Sequence, residues 1–406
     1  MALTERCPRI VVVSSRLDVG GTERHIARIL PALQRRGLDV ALYVMQRGGP
    51  LEADIAAHGV RVEGSSLGGV LHWPKATLEL ARWLRRERPD VVHFFLPRPY
   101  LFGSLAAELA GHRLRLMSRR SLTVYRDKYP LLGGVERWLH RRTFGILGNS
   151  QAVMDQLAAE VDDRSKLALI HNGIDLPSPV FTSRRRQTRD LLQIPDGALV
   201  VAVIANLIAY KGHRDLIAAL ALIKDQLPQP WRLLAIGRDD GIGADLKAQA
   251  QSHGIGDNIL WLGERGDVDE LLSASDMFIL ASHQEGFSNA LLEAMAARLP
   301  VVATAIGGNN DAVVEGETGL LVPVRDPLAL AAAILQLAQD PDRRASFGEA
   351  GRRRVEQRFS LDVCVDRYER LYRALGEADP PPVSVILADD AADRRQAVVA
   401  AAASAS

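Results

Sequence analysis

The chain has 406 residues, of which 47% are hydrophobic and 24% charged, with a net charge of +1. At about 150 residues per domain, this length predicts two to three domains, and the ordinary composition excludes a disordered chain, a coiled coil and a collagen-like fibre. The two cysteines, Cys7 and Cys364, have no metal-ligand spacing, which argues against a disulfide framework or structural zinc and fits a reducing compartment.

The longest charge-free stretch, Gly197–Tyr210, has 14 residues, against about 20 for a membrane span. The start of the chain, with Glu5 and a short apolar run over Ile10–Val13, does not read as a signal peptide. The charge is uneven. Residues 1–178 hold 26 basic and 18 acidic residues, a net of +8, and residues 179–406 hold 24 and 31, a net of −7. This asymmetry predicts an anionic partner for the first half.

In chain order, Arg9–Ser15 reads as a buried strand, followed by Gly20-Gly21 and a helix over Glu23–Arg36 that Gly37 stops. Strands at Val40–Met45 and Val60–Val62, a helix at Lys75–Arg88 and a strand at Asp90–Phe95 follow. The second half repeats the alternation: strands at Ala198–Ala205, Arg232–Ile236, Asn258–Leu262, Met277–Leu280 and Pro300–Ala303, separated by helices at Arg214–Gln226, 244–253, Val268–Ser273 and Asn289–Ala297. Strand–helix alternation at this spacing predicts an α/β protein with two doubly wound parallel sheets. The expected organisation is a first domain over residues 1–178, a Pro-flanked basic linker over 179–197, a second domain over 198–360, a helix over Leu361–Leu375 and a flexible Ala/Asp-rich tail over 379–406.

Ligands of open parallel sheets bind beyond the carboxyl ends of the strands. The strongest candidate there is Glu285–Glu293, reading EGFSNALLE after the strand 277–280. Gly286 lets backbone approach a ligand, Asn289 is a good N-cap, and the helix it opens attracts phosphate. Glu293 is the only charge between Gly286 and Ala297, so if buried it needs partners such as ribose hydroxyls; an ordinary amphipathic helix with surface glutamates is the alternative. Lys211, in IANLIAYKGH (204–213), suits phosphate oxygens or lies in solvent. Gly20-Gly21-Thr22-Glu23 is either a phosphate turn or a plain βα turn, and lacks the G-x-G-x-x-G spacing. Gly237-Arg238, Gly263-Glu264-Arg265 and Gly307-Gly308-Asn309 add loops at successive strand ends. Asp267-Val268-Asp269 has the D-x-D form of a metal site but opens a helix, where acids complement the dipole; no metal site is expected.

In the first half, Arg113, Arg115, Arg119, Arg120, Arg126 and Lys128 precede an amphipathic stretch with Leu131, Leu132, Trp138, Leu139, Arg141 and Arg142. This pattern suits an anionic membrane surface or an ion-paired solvated face equally. The sparse aromatics do not interleave with the basic residues, so nucleic acid is not an expected partner.

The segments GGTER, GNSQAV (148–153), HNGID (171–175), ANLIAYKGH (205–213), EGFSNALLEAMA (285–296) and GGNNDAV (307–313) resemble the family 4 glycosyltransferases of the GT-B fold over roughly residues 9–376. The resemblance implies two Rossmann-like domains facing a cleft, with the helix over 361–378 crossing back to the first. It implies transfer of a hexose-type sugar from a nucleoside diphosphate sugar (UDP or GDP), usually with retention, with no bound metal and no other cofactor. By that resemblance Glu285 contacts the donor sugar, and Gly286, Phe287, Ser288 and Asn289 meet sugar and phosphates. Glu293 holds the ribose and Lys211 the diphosphate. Gly237, Arg238 and Arg265 border the base or diphosphate, and Gly21 approaches from the other domain.

Two positions depart from the family: Asn206 stands where an arginine is usual, and Ser118-Arg119-Arg120 where a histidine is frequent. His93 is therefore the candidate first-domain catalytic residue, and Glu23, His25, Arg119 and Arg120 are candidate acceptor contacts; His25 and His93 read equally well as packed histidines. The expected acceptor is a lipid-linked or cell-envelope glycan, and the expected location cytoplasmic, peripheral at the inner membrane face. A sugar-nucleotide epimerase and a non-catalytic sugar-nucleotide-binding module are the rival readings.

Overall fold

The computed structural model describes residues 7–18, 20–65, 72–122, 132–177 and 184–388. It divides into two compact units, Met1–Gly173 with Leu361–Ser406, and Ile174–Ser360.

The first unit carries a seven-stranded sheet: β1 (Arg9–Ser14), β2 (Asp39–Val44), β3 (Arg61–Gly64), β4 (Val91–Phe95), β5 (Arg115–Arg119), β6 (Gly145–Gly148) and β7 (Leu167–Leu169). The order is β3-β2-β1-β4-β5-β6-β7 and every pairing is parallel. Both faces are covered. Ile10 and Val12 of β1 pack with the helices Gly21–Arg35 and Leu361–Leu375 on one face, and Val11 and Val13 pack with residues of the helices Trp73–Glu87 and Pro97–Leu109 on the other. This two-sided burial explains the continuous apolar reading of the strands.

The second unit has a six-stranded parallel sheet: β8 (Leu199–Ile204), β9 (Trp231–Ile236), β10 (Ile259–Gly263), β11 (Met277–Leu280), β12 (Val301–Thr304) and β13 (Gly319–Val322), in the order β10-β9-β8-β11-β12-β13. Both sheets change winding direction at an inner strand pair, β1/β4 in the first and β8/β11 in the second. That is where a doubly wound sheet opens a ligand crevice.

Two expected boundaries change. Residues read as linker form a helix, Arg185–Leu191, that belongs to the second unit. Arg185 and Arg189 both pair with Asp276, which also accepts from the Val200 amide at 2.7 Å. Arg184 pairs with Glu270, so two arginines of the basic run are spent on carboxylates of the second unit. The expected tail is ordered as far as residue 388: Val383, Ile386 and Leu387 join the core of the first unit. Gly145 of β6 makes room for them, since a Cβ there would lie 2.4 Å from Val383. Arg367 and Arg370 donate to the carbonyls of Leu387 and Ala388. Residues 389–406 lie outside the described residues.

Candidate active site

In the second unit, the loops after β8 and β11 meet at the point where the winding reverses. Lys211 Nζ donates to Glu285 Oε1 at 2.6 Å, and Ser282 Oγ donates to the same oxygen at 2.7 Å. The pair is well shielded, with side-chain exposures of 20% for Lys211 and 9% for Glu285. Gly212 makes the approach of these loops possible. Its φ is +70°, and a Cβ would sit 1.8 Å from the Ala281 carbonyl oxygen. The His283 amide stitches the loops by donating to the Tyr210 carbonyl at 2.7 Å.

Beneath them, Thr304 Oγ1 donates to the Ser282 carbonyl at 2.6 Å and Asn309 Nδ2 to the Thr304 carbonyl at 3.0 Å. The Gly307-Gly308 turn closes on Glu285–Phe287, and the Gly308 amide donates to the Gly286 carbonyl at 3.0 Å. The helix Asn289–Ala296 starts here. Its cap is Ser288, whose Oγ accepts from the Leu291 amide at 3.3 Å, and not Asn289 as expected. Adjacent Ser and Asn are equivalent N-cap candidates, and the extended backbone of Ser288 decides between them. Glu293, one turn on, is half-buried, so the desolvation argument for a hydroxyl partner is weaker than its apolar neighbours imply.

Asn206 is tied to the next loop. Its Nδ2 donates to Asp240 and its Oδ1 accepts from the Arg238 amide at 3.3 Å. Arg238 Nε donates to Asp240 at 2.7 Å and holds that carboxyl below its usual range. A cation therefore stands beside Asn206. Gly237, at φ +155°, packs its Cα against Ala205. Arg265 makes a two-pronged pair with Asp267 and lines a cavity with Arg184, Gln187, Leu191 and Glu270. It makes no hydrogen bond to Lys211 or Glu285. Asp267, the first acid of the D-x-D segment, is thus an arginine partner.

In the first unit, Gly20 caps the helix Gly21–Arg35 with no side-chain hydrogen bond, and Glu23 folds back over it. Burial, helped by Asp18, pushes the Glu23 carboxyl up, while Arg120 opposes the shift. His93 lies in the middle of β4 and is fully buried. Its Nδ1 pairs with the Tyr372 hydroxyl at 2.7 Å and its Nε2 with Ser118 Oγ at 2.9 Å, and burial drives its pKa down to about 3. The expected catalytic role for His93 gives way to packing. His25, also buried, has the Tyr368 hydroxyl 3.4 Å from its Nε2 and packs against the Phe95 ring. Burial first, then Arg120, Arg28 and His93, hold it well below the usual histidine range.

Arg119 and Arg120 part company. Arg119 ends β5 and is 3% exposed; it pairs with Glu160 at 2.6 Å and Glu136 at 3.7 Å. These two carboxylates take the guanidinium that was expected to meet an acceptor. Arg120, one residue beyond the strand, donates to Asn172 Oδ1 at 2.5 Å. It bonds the Tyr368 hydroxyl and lies 5.9 Å over the Phe95 ring.

The basic stretch resolves largely into ion pairs. Arg115 and Arg142 both meet Glu108, and Arg141 meets Asp162. Arg142 also stacks 4.1 Å over Trp138. Arg126, Lys128 and Leu131 lie outside the described residues. Among the described residues, no helix is long and apolar enough to cross a membrane.

Two parallel sheets, each with polar side chains gathered where the winding reverses, define a doubly wound α/β protein with polar loops at its strand ends. Comparison with known proteins is specific. The family model "Glycosyltransferase Family 4" matches residues 19–177 and "Glycosyl transferases group 1" matches residues 184–354. The chain belongs to the family 4 glycosyltransferases, with the two Rossmann-like units of the GT-B fold.

It is 27% identical over 311 residues to the N-acetyl-alpha-D-glucosaminyl L-malate synthase of Bacillus anthracis, covering 75% of this chain and 80% of that one. It is 25% identical to the capsular polysaccharide biosynthesis glycosyltransferase CapM of Staphylococcus aureus, covering 73% and 80%. Among solved structures it is similar to Anabaena Alr3699/HepE in complex with UDP, with a TM-score of 0.78, 21% identity and coverage of 89% and 98%.

Sequence reasoning did not single out Ser282, Thr304, Asn149, Asn172 or Tyr368. The first carried a faint signal, a serine three residues before Glu285. Asn149 and Asn172 lie in the GNSQAV and HNGID segments, but their meeting, like the places of Thr304 and Tyr368, depends on distant chain.

Proposed function

We propose that this glycosyltransferase moves a hexose-type sugar from UDP- or GDP-sugar to a lipid-linked or cell-envelope glycan. The sugar keeps its anomeric configuration, no metal ion takes part, and the reaction runs at the cytoplasmic face of the membrane. The observation that carries the reading is the shielded Lys211–Glu285 pair at the β8/β11 reversal. HepE, similar in fold, is described in complex with UDP, and CapM is named for capsular polysaccharide biosynthesis.

Glycosyl transfer develops positive character on the sugar ring and negative charge on the departing diphosphate. Lys211 is a cation for that diphosphate, reinforced by the amides that open the helix after Ser288. Glu285, steadied by Ser282, faces the sugar's hydroxyls, and Glu293 and Asn289, one turn apart on one helix face, serve the ribose and phosphate. Arg238, beside Asn206, is a second cation at the neighbouring strand end.

Purified protein assayed with a panel of UDP- and GDP-sugars and isolated envelope lipids tests this. Lys211→Ala should slow transfer roughly 10²–10³-fold, the usual loss for one preorganised charge contact, and Glu285→Ala should be similarly slow. Undiminished transfer by Glu285→Ala would remove that carboxylate from the mechanism.

A further inference from the structure

Arg120 differs from the other buried or half-buried arginines of its sheet. Arg115 and Arg119 each answer a carboxylate. Among the described residues Arg120 makes no ion pair; its partners are the neutral Asn172 amide and Tyr368 hydroxyl and the face of Phe95. Burial pulls its pKa down, so its charge is held there at a cost. A shielded cation without a counter-ion is expensive, and a guanidinium is a planar fork shaped for two oxygens of a carboxylate or phosphate.

The surroundings hold the fork still. Asn172, of the HNGID segment, takes the guanidinium. Asn149, of the GNSQAV segment, donates to both the Arg120 carbonyl and the Asn172 side chain at 3.4 Å. Two motifs with no assigned role therefore converge on one residue, Asn172 on its guanidinium and Asn149 on its carbonyl. Burial keeps the nearby His25 and His93 neutral, so neither adds a positive charge beside Arg120. Its place is the carboxyl edge of the first sheet, over the end of β4, where the winding reverses. The 15-residue helix Gly21–Arg35 begins there without a side-chain cap, and Glu23 in its first turn feels the Arg120 charge without pairing with it.

We propose that Arg120, positioned by Asn172 and Asn149, binds a phosphate or carboxylate group carried by the acceptor, so that the enzyme selects anionic acceptors over neutral ones. The inference rests on the reading of the first unit as the acceptor side.

Calorimetry with inorganic phosphate and with malonate tests it on the full chain, with glycerol as the uncharged control. With saturating UDP present to fill the phosphate place beside Lys211, the wild type and Lys211→Ala should bind one of the two anions alike, because Lys211 belongs to the other unit. Arg120→Gln should bind it about tenfold to a hundredfold more weakly, the range for a hydrogen bond to a charged group, and Arg120→Lys should fall between. Phosphate preference points to a phosphorylated acceptor and malonate preference to an acidic one. UDP affinity should be the same in Arg120→Gln as in the wild type, which shows that the variant is folded.

Equal anion binding by Arg120→Gln and wild type, or loss of binding in Lys211→Ala instead, overturns the proposal. So does a wild type that binds neither anion. Arg120-dependent binding without turnover of any sugar nucleotide would leave this site standing and sink the donor reading instead.

Discussion

Gly307 offers the sharpest test of how the second unit holds Glu285. Its φ is +45°, and a Cβ on it would lie 1.9 Å from the carbonyl oxygen of Glu285. Ordinary contact begins near 3.4 Å, so Gly307→Ala must push the Glu285 backbone and its own turn apart by about 1.5 Å. Neither atom is the free end of a flexible side chain. Misplacing a catalytic group by about 1 Å can cost roughly 10²-fold in rate, so transfer by Gly307→Ala should fall about a hundredfold.

The control is Gly316→Ala. Gly316 has φ +73° and nothing within 4 Å of its Cβ direction. Both variants force alanine into the left-handed region, at about 1–2 kcal/mol, which in a unit of this size lowers Tm by roughly 2–8 °C. Only Gly307→Ala adds the collision beside Glu285. Steady-state transfer assays and thermal melts on the two variants separate the effects. Full activity in Gly307→Ala, or an equal loss in Gly316→Ala, would show that the position of Glu285 does not govern the reaction.

Other expected outcomes concern the first unit. Arg119→Met removes a cation that faces the buried Glu136 and the nearly buried Glu160 and should cost about 3–5 kcal/mol of stability, measured by urea unfolding; a loss under about 1 kcal/mol would mean that the pair is dispensable. His93, with a folded pKa near 3 against about 6.5 unfolded, binds a proton more readily when unfolded. Its contribution is therefore complete above pH 6.5 and lost as pH falls toward 3, at roughly 1 kcal/mol per pH unit. The urea midpoint should drop between pH 7 and pH 5 in the wild type and less in His93→Gln, and parallel drops would contradict the assignment.

The doubly wound architecture was legible because each element is local. β-branched runs alternate with helical spacing, and the predicted helix over Leu361–Leu375 matches the observed one. The EGFSNALLE and AYKGH segments were legible as ligand loops because each follows a strand directly. Their side-chain geometry was not: that Lys211 and Glu285 touch, with Ser282 below, depends on two loops 74 residues apart meeting at one sheet edge.

The adjacent arginines show the limit most clearly. Written side by side, Arg119 and Arg120 look interchangeable. Successive strand residues point to opposite faces, and Arg120 also stands one step past the end of β5. One guanidinium is therefore closed in by Glu136 and Glu160, and the other meets Asn172 and Tyr368. For His93 the sequence left a catalytic and a packed role open, and Tyr372 and Ser118, both distant in the chain, decide for packing.

The amino-acid sequence by itself determined the pattern of strands and helices, the family and the loops that carry polar groups, because these rest on neighbours within one element. Which charges are spent inside the fold and which stay available was decided only by tertiary structure, because a counter-ion arrives from distant chain, and burial, set by every layer of the fold together, establishes what each unpaired charge costs.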